Sequence, residues 1–190
     1  MQIGQWIALA VLVFLIGYTI MIYNNLVGLK HAVTKALANI DIALKQRHDE
    51  LPKLIETCKQ YMGYEKDTLT QVIEARSQVA SAQESGDMTE LGKAENFLRA
   101  GLGKLFALAE DYPDLKADQS FQHLQQRITG LEHSIADRRE VYNESVNNNN
   151  VRIEQFPDVV LARFFNFGAF ELLEFEEEEL ADPDVKELFS

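Results

Sequence analysis

The sequence has little cysteine, proline, histidine or positive charge. A single cysteine, Cys58, excludes an internal disulfide framework and any zinc cluster built on cysteines. Four prolines and ten glycines, sparsely placed, exclude collagen-like, linker-rich and disordered classes. His31, His48, His123 and His133 are the only imidazoles; none pairs with another at i, i+4, and no H-E-x-x-H occurs. No metal centre and no cofactor are therefore expected. Lys and Arg number 18 against 30 Asp and Glu. No basic surplus exists to displace counterions from a phosphate backbone, so nucleic acid is not an expected partner. No stretch sustains apolar/polar alternation, so almost no sheet is expected.

What the sequence does have is unevenly spread. Trp6 to Tyr23 contains 16 apolar residues in 18 and no charge. As a helix that run is roughly 27 Å long, close to the thickness of a bilayer's hydrocarbon. Trp6 and Tyr23 stand at its ends and Tyr18 about a turn inside, as interfacial aromatics do. Met1 to Gln5 has no basic residue, and no A-x-A step follows, so the run reads as an uncleaved anchor rather than a signal peptide. Trp6, Leu12, Phe14, Tyr18 and Tyr23 are its expected bilayer contacts. Lys30, Lys35, Lys45 and Arg47 follow the run and nothing basic precedes it. The positive-inside rule then places the bulk of the chain on the cytoplasmic side.

Beyond the anchor the apolar period is helical. Leu26, Leu29, Val33, Leu37, Ile40 and Leu44 step by 3 and 4, with no Pro or Gly run between them and the membrane run. One helix is expected to leave the bilayer and enter the domain. Arg47 to Glu50 reads as a charged corner, and Pro52 as the start of a second helix reaching about Gln83. Leu54, Cys58, Tyr61, Leu69, Val72, Arg76 and Val79 form its stripe. Ser85-Gly86-Asp87 ends it, and a third helix spans about Thr89 to Glu110. Asp111-Tyr-Pro-Asp114 ends that one. A fourth runs from about Gln119 to Gln155 on Phe121, Leu124, Ile128, Leu131, Ile135, Arg138, Tyr142, Ser145 and Asn149. Its seam turns polar in the second half, a device that fixes register or partner number. The fold class expected is all-α: a long antiparallel, coiled-coil-like bundle of about four helices on an N-terminal transmembrane helix.

After Phe156-Pro157 the chain crowds Phe164, Phe165, Phe167, Phe170 and Phe175 among aliphatics. Asn166 and Gly168 break this segment too often for a second span. Nine carboxylates against Lys186 alone lie between Glu171 and Ser190, eight of the chain's twelve excess negative charges. Glu176 to Glu179 is repelled by anionic headgroups, which favours an internal cap or a protein contact over lipid insertion. The five phenylalanines are thus candidate oligomer contacts. The expected organisation is an anchor over 1–25, a bundle over 26–157, and an aromatic segment with an acidic tail over 158–190.

No catalytic constellation emerges. Gly101-Leu-Gly103-Lys104 lacks the strand and the spacing of a phosphate loop, so these glycines read as places where helices approach closely. Cys58 reads as a small core residue. Arg76 and Arg138 fall on apolar seams, where burial demands carboxylates, such as Glu56, Glu65 or Glu110, or several carbonyls. An enzyme would need a polar pocket near Arg47, His48 and Tyr112.

Several blocks together resemble the LemA family. They are Tyr23-Asn-Asn-Leu-Val27, Ala38-Asn-Ile-Asp41, Leu44-Lys-Gln-Arg-His-Asp49 and Leu51-Pro-Lys-Leu54. Tyr112-Pro-Asp-Leu-Lys-Ala117 with Phe121, Arg138-Arg-Glu-Val-Tyr-Asn143 and Phe156-Pro157 follow in order. The resemblance covers about residues 20–165 and weakens after Phe164. It implies a bacterial single-pass membrane protein with an antiparallel helical bundle, and a family without a settled molecular activity. Arg47, His48, Asp49, Pro52, Tyr112, Pro113, Asp114, Arg138, Tyr142 and Asn143 are the motif residues, read as fold determinants. Function is expected to be a non-enzymatic scaffold of the bacterial inner membrane that self-associates and organises or remodels the envelope membrane. The alternative is an adaptor whose acidic tail captures a basic protein partner, such as an envelope protease or secretion component.

Overall fold

Residues that share one apolar stripe with no breaker between them fold as one helix, however many functions the stripe serves. In the computed structural model, which describes residues 3–174, α1 accordingly runs unbroken from Ile3 to Tyr61. Five helices follow: α2 (Lys66–Ser85), α3 (Met88–Ala109), α4 (Pro113–Ala117), α5 (Gln119–Glu154) and α6 (Asp158–Phe164). Among the described residues there is no strand.

The chain folds as two compact units, and α1 and α5 contribute to both. The second unit, residues 43–133 with 173–174, is a four-helix bundle made by α1, α2, α3 and α5, with α4 as a connecting turn. Leu51, Leu54 and Cys58 of α1, Val72 of α2, Leu98 and Leu105 of α3 and Phe121 and Ile128 of α5 are buried in it. Each such leucine contributes about 1.5–3 kcal/mol on leaving water. Gly101 is buried where α3 meets α2: a Cβ there would lie 3.5 Å from a Val72 methyl, so the small residue sets the close approach. Gly103, by contrast, faces open space.

The first unit, residues 3–42 with 134–172, holds the opposite ends of α1 and α5 with α6 and the segment after it. Arg138 on α5 reaches the Asn39 carbonyl on α1, and Ile153 packs with Leu26, so the two helices are antiparallel. Within the second unit the pairs Glu50–Arg127 and Tyr61–Asp118 show the same antiparallel sense.

The expected corner at Arg47–Glu50 is absent, and Pro52 does not begin a helix: α1 passes through both. Proline removes the hydrogen bond that its N–H would give to the carbonyl four residues back. That carbonyl belongs to His48, and Arg76 Nε from α2 donates to it at 3.1 Å. The orphaned acceptor is satisfied from outside, while Leu51, Leu54 and Ile55 keep the buried stripe in register. The real break is Met62–Glu65, around Gly63, so the second expected helix starts about fourteen residues late. The other boundaries lie close to expectation. Gly86 caps α2 at φ 73°, a left-handed conformation that glycine adopts without penalty. Asp87 Oδ1 then accepts from the Glu90 N–H at 2.9 Å to open α3.

Candidate functional site

Two polar constellations and one aromatic one stand out. The first is built on Arg47, which one turn of α1 carries into the middle of the second unit, 1% exposed. Its Nη1 donates to Glu132 Oε1 of α5 at 2.6 Å, and its Nη2 to Glu95 of α3, itself 3% exposed. Arg99 approaches the other Glu132 oxygen at 3.8 Å. Burial pulls the Arg47 guanidinium down, but the two carboxylates outweigh it and hold it above its ordinary value. It is a fixed cation. Arg47 Nε and Glu132 Oε2 are buried without a hydrogen bond, so the cluster is not saturated. A buried ion pair of this kind adds little net stability yet is costly to break, because one charge would remain alone.

Beside it, His48 Nε2 lies 2.6 Å from Arg76 Nη2. The guanidinium can only donate, so the imidazole nitrogen accepts and His48 is neutral, with its proton on Nδ1. Burial, then the Arg76 charge, lowers its pKa. Asp49 and Pro52 are exposed on the far side of α1. Tyr112 precedes Pro113 and Asp114, which form the first turn of α4, and its hydroxyl donates to Glu65 Oε1 at 3.2 Å. Asp118 caps α5: Oδ1 accepts from the Phe121 N–H at 2.9 Å and Oδ2 from the Tyr61 hydroxyl at 3.0 Å. Each of Arg47, His48 and Tyr112 is thus turned to a different partner. Among the described residues, no group of three His, Cys, Asp or Glu is placed to hold a metal. Burial pushes the Cys58 thiol up to about 12, the state of an inert core residue.

Of the two kinds of partner expected for the seam arginines Arg76 and Arg138, carboxylates or carbonyls, both take carbonyls, and neither takes Glu65 or Glu110. Arg76 takes the His48 carbonyl; Arg138 takes the Asn39 carbonyl at 2.7 Å and the Ser134 hydroxyl at 3.0 Å. Glu65 and Glu110 are instead engaged by Tyr112 and Lys116.

In the first unit the polar half of the α5 seam holds the returning chain. The Tyr142 hydroxyl donates to the Glu171 carbonyl at 2.8 Å. Asn149 Nδ2 donates to the Gly168 carbonyl at 3.2 Å. Asn150 bonds both backbone groups of Phe170: Nδ2 gives to its carbonyl at 2.9 Å, and Oδ1 accepts its N–H at 3.0 Å. Asn143 is half-buried beside Tyr142 on the same helix. Held this way, the segment brings Phe165 and Phe167 edge-on to Tyr23 of α1, with ring centroids 4.8 and 5.9 Å away. Ile22, Leu26 and Ala162 form the small core beneath. Of the five candidate oligomer contacts, Phe165 and Phe167 make ring contacts within the chain, though Phe165 stays 47% exposed; Phe170 is half-buried and Phe164 is 79% exposed. Phe175 and the acidic run Glu176–Glu179 lie outside the described residues.

The anchor residues Trp6, Leu12, Phe14, Tyr18 and Tyr23 are all exposed on α1, as is every side chain from Ile3 to Met21. A core helix would bury such residues; a lipid-facing one presents them. Sequence reasoning missed Glu95, Glu132, Asp118 and the Asn150 clamp. Glu95 was open to discovery: Leu91, Glu95, Leu98, Leu102 and Leu105 step by 4 and 3, which puts an acid on a core seam.

Comparison with known proteins agrees with this architecture. The chain is 21% identical over 193 residues to magnetosome protein MamQ 2 of Paramagnetospirillum magneticum, covering 90% of this chain and 70% of that one. It is 22% identical to magnetosome protein MamQ of Magnetospirillum gryphiswaldense, covering 90% and 71%. Against protein LemA of Metamycoplasma hominis it is 25% identical over 166 residues, covering 87% and 74%. The LemA family model matches residues 36–186, which take in the Arg47 cluster, Tyr112-Pro113 and the Tyr142–Asn150 clamp. This all-helical, membrane-associated chain belongs to the LemA family.

Proposed function

We propose that the chain is a single-pass scaffold of the bacterial cytoplasmic membrane that self-associates through its long helices, organising the envelope membrane without catalysis. The observation that carries this reading is the continuity of α1, from an exposed apolar span into a bundle whose buried charges are paired with one another. Such a helix transmits assembly on one side of a bilayer to the bilayer itself. Likeness to magnetosome proteins supports a role in organising membrane. The self-associating face is the open side of the α1/α5 pair in the first unit, where Val141 and Val151 are 55% and 44% exposed.

Light scattering on the full-length protein in mild detergent tests it. A defined assembly of several copies is expected, and the double variant Val141→Asp with Val151→Asp should lower its mass. A mass of one chain plus detergent for the unaltered protein would sink the scaffold.

Lys30, Lys35, Lys45 and Arg47, which follow the span, support a cytoplasmic bundle by the positive-inside rule. Because Cys58 is inert, Tyr64→Cys, at a site 99% exposed, reports sidedness to an impermeant maleimide. Labelling of intact spheroplasts at that cysteine would reverse the assignment. The excess acid after Glu171 supports a second reading, capture of a basic protein, which neutralising Glu176–Glu179 and raising salt would both weaken.

A further inference from the structure

We propose that α6 and the phenylalanines beside it form an interfacial foot, a second contact with the lipid headgroup layer of the membrane that α1 crosses. This rests on the membrane-anchor reading above. The foot's position follows from packing inside the first unit. Ala162 shares a buried core with Ile22, which lies within the span, and Leu26, which lies past it. Leu26 is only about 4–5 Å beyond Tyr23 along the helix axis. The headgroup layer on each side of the hydrocarbon is about 5–7 Å deep. The short helix is therefore pinned at the level where hydrocarbon gives way to headgroups.

The face it turns outward suits that level. Val160 and Phe164, four apart on α6, are 59% and 79% exposed, and Phe156 in the turn just before the helix is 84% exposed. The rings are also continuous with the span: Phe164 stacks edge-on to Phe165 at 4.9 Å, and Phe165 to Tyr23 at 4.8 Å. Tyr23 is the interfacial aromatic of the anchor, so a chain of ring contacts leads from the anchor to the foot. Large exposed apolar faces on a soluble surface are uncommon, whereas aromatic and aliphatic side chains at headgroup depth are the ordinary content of an interfacial helix. Asp158, the acid of α6, is removed from this face; it is buried and bonded to Arg152 at 2.7 Å.

The test uses full-length protein with Trp6→Phe, reconstituted in phosphatidylcholine vesicles containing some phosphatidylglycerol, with lipids brominated either near the carbonyls or deep in the chains. Phe164→Trp, and independently Val160→Trp, should emit at short wavelength and be quenched most by the shallow bromines. Phe14→Trp, near the middle of the span, should be quenched most by the deep ones. If Phe14→Trp is quenched and both foot reporters are not, the foot is wrong and the anchor stands. Short-wavelength emission indifferent to bromine would then mean that a second copy covers the face, and long-wavelength emission that water does. If no reporter is quenched, the anchor reading falls and the foot with it.

Discussion

The two units meet the same problem, polar side chains on an apolar helix seam, in opposite ways. In the second unit, four helices enclose the seam, and Arg47 is answered by Glu95 and Glu132 from two other helices. In the first, only α1 and α5 run side by side, and the polar seam of α5 binds backbone: Arg138 a carbonyl of α1, Tyr142, Asn149 and Asn150 the returning chain. Charge answered by charge ties helices to helices at fixed separation. Amide and hydroxyl answered by backbone ties a helix to a segment that has no regular structure of its own. The second unit is therefore built to be rigid, and the first to hold an aromatic segment against the base of the anchor.

Breaking the charge cluster should have the largest effect. Arg47→Ala strands two carboxylates in the second unit and is expected to cost about 3–5 kcal/mol in denaturant unfolding of the detergent-solubilised protein. Replacing all three, Arg47→Met with Glu95→Leu and Glu132→Leu, should restore most of that loss, since an apolar core of similar volume needs no partner. A triple variant no more stable than Arg47→Ala would mean that the cluster's hydrogen bonds, and not its desolvation balance, hold the helices together.

The corresponding change in the first unit should be smaller and confined. Asn150→Ala removes the partner of both backbone groups of Phe170, worth about 1–3 kcal/mol if they stay buried. Hydrogen exchange should rise at Phe170 and its neighbours while α2 and α3 keep their protection. An equal rise in both regions would erase the distinction between the units.

The contrast also explains what the sequence made legible. Helix content, the apolar run of the anchor, the C-terminal end of α2 and the ends of α3 and α5 were readable because periodicity, Gly86-Asp87 and Pro113 act locally. The corner at Arg47–Glu50 was misread because its resolution is not local: the carbonyl freed by Pro52 is satisfied by Arg76, 28 residues away. Arg47 and His48 were recognised as motif residues, but the partners of Arg47 stand 48 and 85 positions along. The asparagines were seen as a polar seam, yet what they hold is backbone, which carries no side-chain signature. Asp118 was missed although Asp-x-x before a helical stripe is a cap signal. Asp118→Ala should lower stability modestly through the lost cap, read as a lower unfolding midpoint in denaturant. Asp118 is held below its ordinary pKa by the Phe121 N–H and then the Tyr61 hydroxyl. The folded state thus binds that proton less readily than the unfolded one, and the contribution is lost as pH falls through the carboxylate range.

The smallest effect separates the units by pH. His48 titrates below the ordinary imidazole value of 6.5, because burial and then the Arg76 guanidinium disfavour its cation. Below that value the unfolded chain takes up a proton that the folded chain refuses, so stability should fall as pH drops from 6.5 toward the folded pKa and be fully present above it. Protonation also destroys the acceptor that Nε2 offers Arg76, which loosens the guanidinium from the His48 carbonyl and leaves the proline-freed group unanswered. His48→Gln, which keeps an acceptor and cannot titrate, should flatten this slope without changing stability above it. The first unit offers no such group among Arg138, Tyr142, Asn149 and Asn150, so hydrogen exchange at Phe170 should be indifferent to the same pH step once intrinsic rates are corrected. A pH-dependent opening there, surviving in His48→Gln, would show that the two units do not respond separately.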